Sequence, residues 1–254
     1  MKKISTIEQN MISKNDMKIN VKLITGKVIE IYINKIDTIK ELKDRITEKE
    51  RIVQSEQHLF LDGTLMEDNL NISQFNIKEN SIIHLMQDKD EYITFGTPNE
   101  KMYVVIALEK NVFRKIKSLL YSARKDGDDS ITFHQKCDDK GELLYVIKAT
   151  NGSFFAIYVS KPLFSDGNSR TDSLQMVISP ANNFAIKSLN SQATYHCQSN
   201  CGAKFHCMAL NTPFLSTNSV DIQSCSDFNL PCYPSGSSSY QIAELEVYSL
   251  DKLD

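Results

Sequence analysis

The sequence predicts an α+β fold in two domains: a small sheet-and-helix domain near the N-terminus and a larger, strand-rich domain behind it. Three observations support this. Apolar and polar residues alternate on both sides of Thr25-Gly26, a capped amphipathic helix follows from Thr38, and short strand patterns separated by Ser, Asn and Gly recur after residue 140. The 254 residues suffice for two cores of ordinary size.

The composition is that of an ordinary globular protein, and it excludes several classes of function. The net charge is -3, with 14 basic and 16 acidic residues in 1–91, so neither half has the basic excess of a nucleic-acid-binding surface. No apolar run approaches a membrane span, and residues 1–11 lack the apolar core of a signal peptide. We therefore expect a cytoplasmic, or also nuclear, protein without membrane insertion, in which residues 1–16 form a flexible leader.

The first domain begins with a predicted β-hairpin and continues into a helix. Ile19 and Val21 alternate with polar neighbours, and the same period of two resumes at Ile29. Thr38 and Glu41 form a capping-box pattern ahead of apolar residues at helical spacing. We expect a helix of about three turns from there, followed by short strands near 59–61 and 82–86.

Residues 17–86 read MKINVKLITGKVIEIYINKIDTIKELKDRITEKERIVQSEQHLFLDGTLMEDNLNISQFNIKENSIIHLM, and this stretch resembles ubiquitin without a gap. The resemblance implies a β-grasp fold over 17–87, in which a mixed sheet curls around one helix. Ubiquitin-like domains are either conjugated through a C-terminal di-glycine or act in place as docking modules. Met86 is followed by Gln-Asp-Lys-Asp-Glu, without a di-glycine, so the resemblance implies a docking module.

A docking surface is predicted on one face of the sheet. Strand alternation puts Leu59 and Ile83 inside and leaves a second set outside. That outward set is Ile24, Phe60, Ile82, His84 and Met86. By resemblance to ubiquitin, Ile24, Phe60 and Met86 form the apolar patch that partners bind, and His84 lies at its edge. We expect protein partners such as ubiquitin-binding or proteasome-type receptors; the alternative is that the patch covers the neighbouring domain of the same chain.

The second domain, 100–254, follows a predicted linker over 88–99 that contains Gly96 and Pro98. Apolar residues at 112, 113, 116, 119 and 120 predict a helix there. Asn151-Gly152 between two apolar runs is the strongest short hairpin signal. Further short strands, the last within 240–250, indicate a β-sandwich.

The segments LLYSARKDGDDSITFHQKCDDKG, VIKATNGSFFAIYVS and AELEVYSL resemble the TLDc family over about 100–254. This resemblance implies a central β-sandwich flanked by helices, a role in resistance to oxidative damage and, for some members, binding to the vacuolar proton pump. It brings no agreed catalytic mechanism, so we assign no catalytic residue and no cofactor. Glu244 and Glu246 match the closing acidic pair of the family and are expected to point outward, to a partner or to solvent.

The cysteines and histidines raise an alternative function. The candidate zinc ligands are His196, Cys197, Cys201, His206 and Cys207. Their C-x3-C-x5-C spacing is not that of a standard zinc site, and adjacent strand residues point to opposite faces, so free thiols are the main expectation. Cys225 and Cys232, in a loop rich in Ser and Pro, are expected to be exposed.

Two smaller clusters are also weighed. His134 and Cys137 have the spacing of a Cys-His nucleophile on a helix, but no orienting residue is identifiable, and inward packing of Cys137 is favoured. Asp126, Asp128 and Asp129 suggest calcium, although the loop lacks the Gly and Glu of an EF-hand.

Taken together, the sequence predicts a non-catalytic adaptor that links the ubiquitin and proteasome system to a TLDc-type target. The setting implied by the resemblance is oxidative-stress protection or regulation of the vacuolar proton pump. The alternative is a redox-active or zinc-binding protein that uses the Cys and His residues of 196–207.

Overall fold

The structure is a computed structural model that describes residues 16–87, 92–182, 184–187, 194–198, 203–205, 208–210, 214–215, 220–222 and 239–253. The predicted leader lies outside this part of the chain, apart from Asp16. By their internal contacts the residues fall into two compact units, Met1–Glu91 and Tyr92–Asp254. No helix in the described part is long and apolar enough to cross a bilayer.

The first unit is a mixed sheet with one long helix. In chain order its elements are β1 (Met17–Leu23), β2 (Val28–Ile33), α1 (Ile39–Glu50), β3 (Gln57–Leu61), β4 (Thr64–Leu65) and β5 (Ile82–Gln87). Over residues 16–87 the strand order is β2-β1-β5-β3-β4. The central pair, β1 and β5, is parallel, and β1 pairs with β2 antiparallel. The predicted β-grasp fold is therefore confirmed.

The start of α1 is fixed by the capping box that the sequence predicts. The Thr38 hydroxyl accepts the Glu41 N–H at 3.2 Å, and the Glu41 carboxylate accepts the Thr38 N–H at 2.6 Å. These bonds to Thr38 lower the pKa of Glu41, because they stabilise its ionised form. The helix ends at Arg51, which adopts the left-handed conformation with φ 63°.

One face of the sheet packs against α1. The helix buries Ile39, Leu42 and Ile46, which recur at helical spacing. Inward residues of the strands complete the same apolar cluster, among them Ile19, Val21, Ile29, Ile31, Ile33, Leu59, Ile83 and Leu85. Residues that alternate with these, such as Phe60 and His84, lie on the opposite face of the sheet.

The second unit combines helices with two sheets. Its first elements are α2 (Pro98–Val112), β6 (Arg114–Ser122), α3 (Ala123–Asp126), α4 (Ser130–Cys137), β7 (Leu143–Ala149), β8 (Phe154–Val159), β9 (Asp166–Thr171), β10 (Met176–Ser179) and β11 (Phe184–Lys187). The later strands are β12 (Thr194–Gln198), β13 (Ala203–Phe205), β14 (Met208–Leu210), β15 (Val220–Ile222), β16 (Ser239–Tyr240) and β17 (Ile242–Lys252).

Among the described strands, one sheet has the order β11-β10-β8-β7-β17-β6 and the other β16-β15-β14-β13-β12-β9. A single apolar cluster joins these two sheets of the second unit. It contains Tyr145 of β7 and Val247 of β17, Phe133 of α4, and Leu210 of β14 in the other sheet. The two sheets thus share a core, in agreement with the predicted sandwich. The β7–β8 hairpin turns at Asn151-Gly152 as predicted, with Gly152 at φ 89°.

The prediction of a helix around 112–120 is wrong. The helix is α2, which begins at the Thr97 capping box with Pro98 in its first turn and ends at the left-handed Phe113. Residues from Arg114 onward form β6, which pairs with β17 along most of its length. The apolar spacing in 112–120 is that of a helix face, but the segment pairs with β17 instead. The register of this pairing shifts twice, which disrupts the alternation by which a strand is recognised.

Residues 92–97, expected to belong to the linker, pack on the second unit instead. Ile93 is buried, and the Phe95 ring contacts the Phe154 ring edge to face at a centroid distance of 5.9 Å. Gly96 has φ 93°, and a Cβ at this position would lie 2.7 Å from the Phe154 ring. A larger residue at 96 would therefore separate this segment from β8.

The cap of α1 gives a first test. Replacing Thr38→Ala removes the oxygen that accepts the Glu41 N–H, and we expect the free energy of unfolding of the first unit to fall by about 1 kcal/mol. Urea denaturation followed through hydrogen exchange of the α1 amides measures this change. Thr25→Ala, at an exposed turn position, is the matched control and should leave the stability unchanged. Equal stability of the two variants would contradict a role for the cap.

Candidate functional site

The structure brings most of the predicted docking residues together on the outer face of the first sheet, opposite α1. Phe60 on β3 lies opposite His84 on β5, and His58 lies opposite Met86. Ile24 directly follows β1, in the turn toward β2. The predicted patch is therefore contiguous in register.

Two members of this patch are not accessible. Phe60 is 0 % exposed and Met86 5 % exposed, although neither belongs to the apolar cluster around α1. Ile24 and His84 are half-buried, and Ile82 on the same face is 51 % exposed. The expectation that Phe60 and Met86 meet solvent is thus wrong. Strand alternation gives the side of the sheet on which a residue lies, but exposure depends on all atoms packed on that side.

A continuous row of side chains crosses the outer face. Val28 on β2 lies opposite Lys22 on β1, Lys22 opposite His84 on β5, and His84 opposite Phe60 on β3. Exposure falls along this row from 52 % at Val28 to 0 % at Phe60. The accessible part of the outer face is therefore the part formed by β2, β1 and β5.

Glu246 is not the exposed surface residue that the sequence suggested. It lies on β17, which is an interior strand between β7 and β6, and it is only 2 % exposed. Its carboxylate accepts the Thr94 N–H at 3.2 Å, the Thr94 hydroxyl at 2.5 Å and the Tyr248 hydroxyl. The physical reason for the error is that the segment around Thr94 lies over this part of the strand. Burial, with the adjacent Glu246 charge, raises the pKa of Tyr248.

Glu244 remains partly accessible. It lies two residues before Glu246 on β17, half-buried, and forms an ion pair with Arg124. The Arg124 Nε–Glu244 Oε2 distance is 2.8 Å and the Nη2–Oε1 distance is 2.7 Å, a bidentate geometry. Arg124 also donates to the Ala243 carbonyl, so this pair fixes the approach of α3 to β17.

The candidate zinc residues are only partly described. His196 and Cys197 lie on β12, whose backbone pairs with β13 and β9. Cys201, His206 and Cys207, like Cys225 and Cys232, lie outside the described residues. Among the residues that are described, no group of three or more His, Cys, Asp or Glu is arranged to hold a metal ion.

The Cys137 thiol does not have the properties of a nucleophile. Cys137 is fully buried in the core of the second unit, and burial raises the pKa of its thiol. The thiolate that nucleophilic attack needs is therefore disfavoured. The neighbouring His134 is also buried, and its Nδ1 lies 2.9 Å from Asp138.

The aspartates near residue 126 have structural roles. Asp126 accepts the Lys136 ammonium at 2.7 Å and the Ser122 N–H at 2.9 Å. Asp129 caps α4 by accepting the Thr132 N–H at 2.9 Å. The carboxylates of Asp126 and Asp129 are thus used in structural contacts, and the Asp128 backbone carbonyl accepts the Phe214 N–H at 3.0 Å.

Together, these features describe a protein of two modules: a β-grasp module with a partly accessible outer face, and a two-sheet module stabilised by buried polar contacts. The ubiquitin family profile matches residues 19–90, and the TLDc domain profile matches residues 99–251. Three relatives each match this chain over 70 residues. Ubiquitin-like protein NEDD8 of Dictyostelium discoideum is 43 % identical, across 28 % of this chain and 91 % of the relative. Ubiquitin-like protein 1 of Schizosaccharomyces pombe and NEDD8-like protein RUB3 of Arabidopsis thaliana are each 39 % identical, across 28 % of this chain and 90 % of the relative.

The chain thus belongs to the TLDc-domain proteins and carries a ubiquitin-family domain ahead of its TLDc domain.

Sequence reasoning missed the contact between Thr94 and Glu246. Thr94 stands in a stretch that ends in Gly96 and Pro98, which is typical of a linker. The one available signal is that Ile93 and Phe95 are large apolar residues on either side of it, which is unusual for a solvated linker.

Glu246 provides the second test. Glu246→Ala leaves the Thr94 and Tyr248 hydroxyls without their acceptor, so we expect the second unit to lose about 1–3 kcal/mol of stability. The Thr94 amide should also exchange faster with solvent. Glu244→Ala is the matched control, because its partner Arg124 remains hydrated and the loss should be much smaller. Similar losses in both variants would contradict the structural role of Glu246.

Proposed function

We propose that the protein is a non-catalytic adaptor of the ubiquitin system. Its ubiquitin-family domain binds a ubiquitin receptor, such as one of the proteasome, and its TLDc domain binds a second protein. A non-catalytic role is supported by the functions of the residues first considered as catalytic or metal-binding candidates. The buried Cys137 and His134 and the capping aspartates all have structural explanations.

This proposal rests mainly on one observation: the ubiquitin-family domain continues directly into the TLDc domain. β5 ends at Gln87, and the second unit begins at Tyr92, with no Gly-Gly pair between them. A ubiquitin-family domain in this position cannot be activated at its own C-terminus. It can contribute to function through its surface while it stays attached to the TLDc domain.

The accessible part of the outer face is the proposed receptor-binding surface. Ile82 is the most exposed apolar residue of β5, and the half-buried His84 lies two residues along the strand on the same face. Ile24 is also half-buried and lies at the far end of the β1–β5 pairing, beyond Leu23 and Leu85.

Phe60 and Met86 lie on the same face of the sheet but do not reach solvent, so the surface proposed for the contact consists of Ile24, Ile82 and His84. Exposed apolar residues on a sheet face are typical of protein contacts.

Ile82→Asp tests this surface. We expect the full chain to bind a purified ubiquitin-binding receptor, and we expect the variant to bind about tenfold more weakly or worse, because a carboxylate would be buried in the interface. Isothermal titration calorimetry measures both affinities. Val53→Asp is the matched control: Val53 is also 51 % exposed but lies in the loop after α1, so its affinity should equal that of the wild type.

Two outcomes would contradict the receptor-binding role. One is equal weakening by Ile82→Asp and Val53→Asp, which would point to a general effect of charge. The other is a failure of the wild-type chain to bind any member of a panel of ubiquitin receptors. In the second case the first unit has no function of this kind.

The vacuolar proton pump is the proposed target of the TLDc domain, in a cell that resists oxidative damage. The support is the family resemblance, together with the partly accessible Glu244 and its partner Arg124. We expect the purified chain to co-sediment with pump-containing vacuolar membranes and to change their rate of ATP hydrolysis. Heat-unfolded chain is the control. Absence of co-sedimentation would exclude the pump as target, and unchanged peroxide survival of cells that lack the protein would exclude the protective role.

A further inference from the structure

Residues 92–97 are held on the second unit by a hydroxyl-to-carboxylate contact at Thr94. The Thr94 hydroxyl donates to the Glu246 Oε1 at 2.5 Å, and the Thr94 N–H donates to the Glu246 Oε2 at 3.2 Å. Glu246 is 2 % exposed, whereas Thr94 is an exposed residue. A residue at the surface thus places its hydroxyl in direct contact with a buried negative charge.

The hydrogen-bond donors to the Glu246 carboxylate are neutral within the described part of the chain. They are the Thr94 N–H, the Thr94 hydroxyl and the Tyr248 hydroxyl. Arg124 forms its ion pair with Glu244, two residues earlier on β17. A second negative charge at Thr94 would therefore lie close to the Glu246 charge in a surrounding of low polarity, where repulsion is stronger than in water.

We propose that Thr94 is a phosphorylation site and that its modification releases residues 92–97 from β17. A protein kinase transfers the terminal phosphoryl group of a nucleoside triphosphate to the Thr94 Oγ. The P–O bond to Thr94 forms as the bond between the γ-phosphorus and the β,γ-bridging oxygen breaks; the hydroxyl proton passes to the catalytic base of the kinase, and the nucleoside diphosphate leaves. This switch uses neither the receptor-binding face nor the proposed pump contact, so it goes beyond the proposed function.

Two effects of the phosphate act in the same direction. The Thr94 Oγ loses its proton, so it no longer donates to Glu246, and about two negative charges take the place of the donor. The apolar contacts of Ile93, which is buried, and of Phe95 with Phe154 oppose release. Residues 92–96 belong to no helix or strand, so the segment leaves without breaking a strand pairing.

Release uncovers part of the face formed by β17, β7 and β8. Glu246 lies opposite Val146 on β7, and Val146 lies opposite Ala156 on β8. Phe154, whose ring contacts Phe95, lies two residues before Ala156 and therefore on the same face. The modified chain thus exposes a carboxylate and an aromatic ring that the unmodified chain covers.

The residues before Thr94 indicate the kind of kinase. Glu91 stands three positions before Thr94 and Asp90 four positions before it, and the sequence from 90 to 100 contains no Lys or Arg. Because kinases select substrates partly by charge pattern, we expect one that prefers an acidic residue three positions before the acceptor. The competing acceptor is Thr97, which Pro98 makes suitable for a kinase that requires proline after the acceptor.

Thr94→phosphothreonine, introduced into the full chain during synthesis by codon reassignment, tests the release. We expect hydrogen exchange of the amides of residues 93–96 to accelerate roughly tenfold or more, whereas exchange in β7 stays as in the unmodified chain. Thr150→phosphothreonine is the matched control, because Thr150 is exposed in the β7–β8 turn. This control should leave the exchange of residues 93–96 unchanged.

Glu246→Gln separates charge repulsion from the loss of a hydrogen bond. Glutamine keeps an acceptor for the Tyr248 hydroxyl and adds an N–H that donates to the phosphate. Thr94→phosphothreonine in this background should therefore exchange about as slowly as the unmodified Glu246→Gln chain. If Thr94→phosphothreonine alone unfolds the second unit, recovery of the folded state by Glu246→Gln gives the same test.

A kinase assay tests the modification itself. The folded full chain is incubated with Mg²⁺, ATP and a purified kinase that prefers an acidic residue three positions before the acceptor. We expect tandem mass spectrometry to locate phosphate on Thr94. Ser179, which is buried, is the matched residue and should stay unmodified.

Several outcomes would overturn the inference. Phosphate on Thr97 but not on Thr94 would assign the segment to another kind of kinase, and absence of phosphate would exclude the site. Unchanged exchange of residues 93–96 would show that the phosphate is accommodated without release. Equal acceleration by phosphothreonine at Thr94 and Thr150 would indicate a general effect of charge, and failure of Glu246→Gln to restore protection would exclude repulsion by Glu246 as the cause.

Discussion

The packing of α1 against one face of the first sheet is the constraint on which the function of this unit depends. Ile39, Leu42 and Ile46 of the helix and the inward residues of the strands form one cluster from which water is excluded. Each such side chain contributes about 1.5–3 kcal/mol on burial, so the sheet cannot shift by one residue without exposing the whole set. Because this face is fully used for folding, binding is left to the outer face.

Much of this arrangement could be predicted from the sequence, because it depends on local patterns. The Thr38 capping box and the alternation around Thr25-Gly26 involve only neighbours in the chain, and both are present in the structure. The helix α2 was missed for a physical reason. Buried residues run without interruption from Val104 to Leu108, so the segment has no polar stripe from which a helix on a surface is recognised.

The candidate site was predicted less well, because its properties depend on residues far apart in the chain. Glu244 and Glu246 have the same chemistry and lie on the same face of β17, yet one pairs with Arg124 near solvent and the other is buried beneath Thr94. Nothing within a few residues of either distinguishes them. Phe60 gives the same lesson: its strand predicts the correct face of the sheet but not the exposure of the side chain. Contacts across 152 residues, as between Thr94 and Glu246, lie beyond any local pattern.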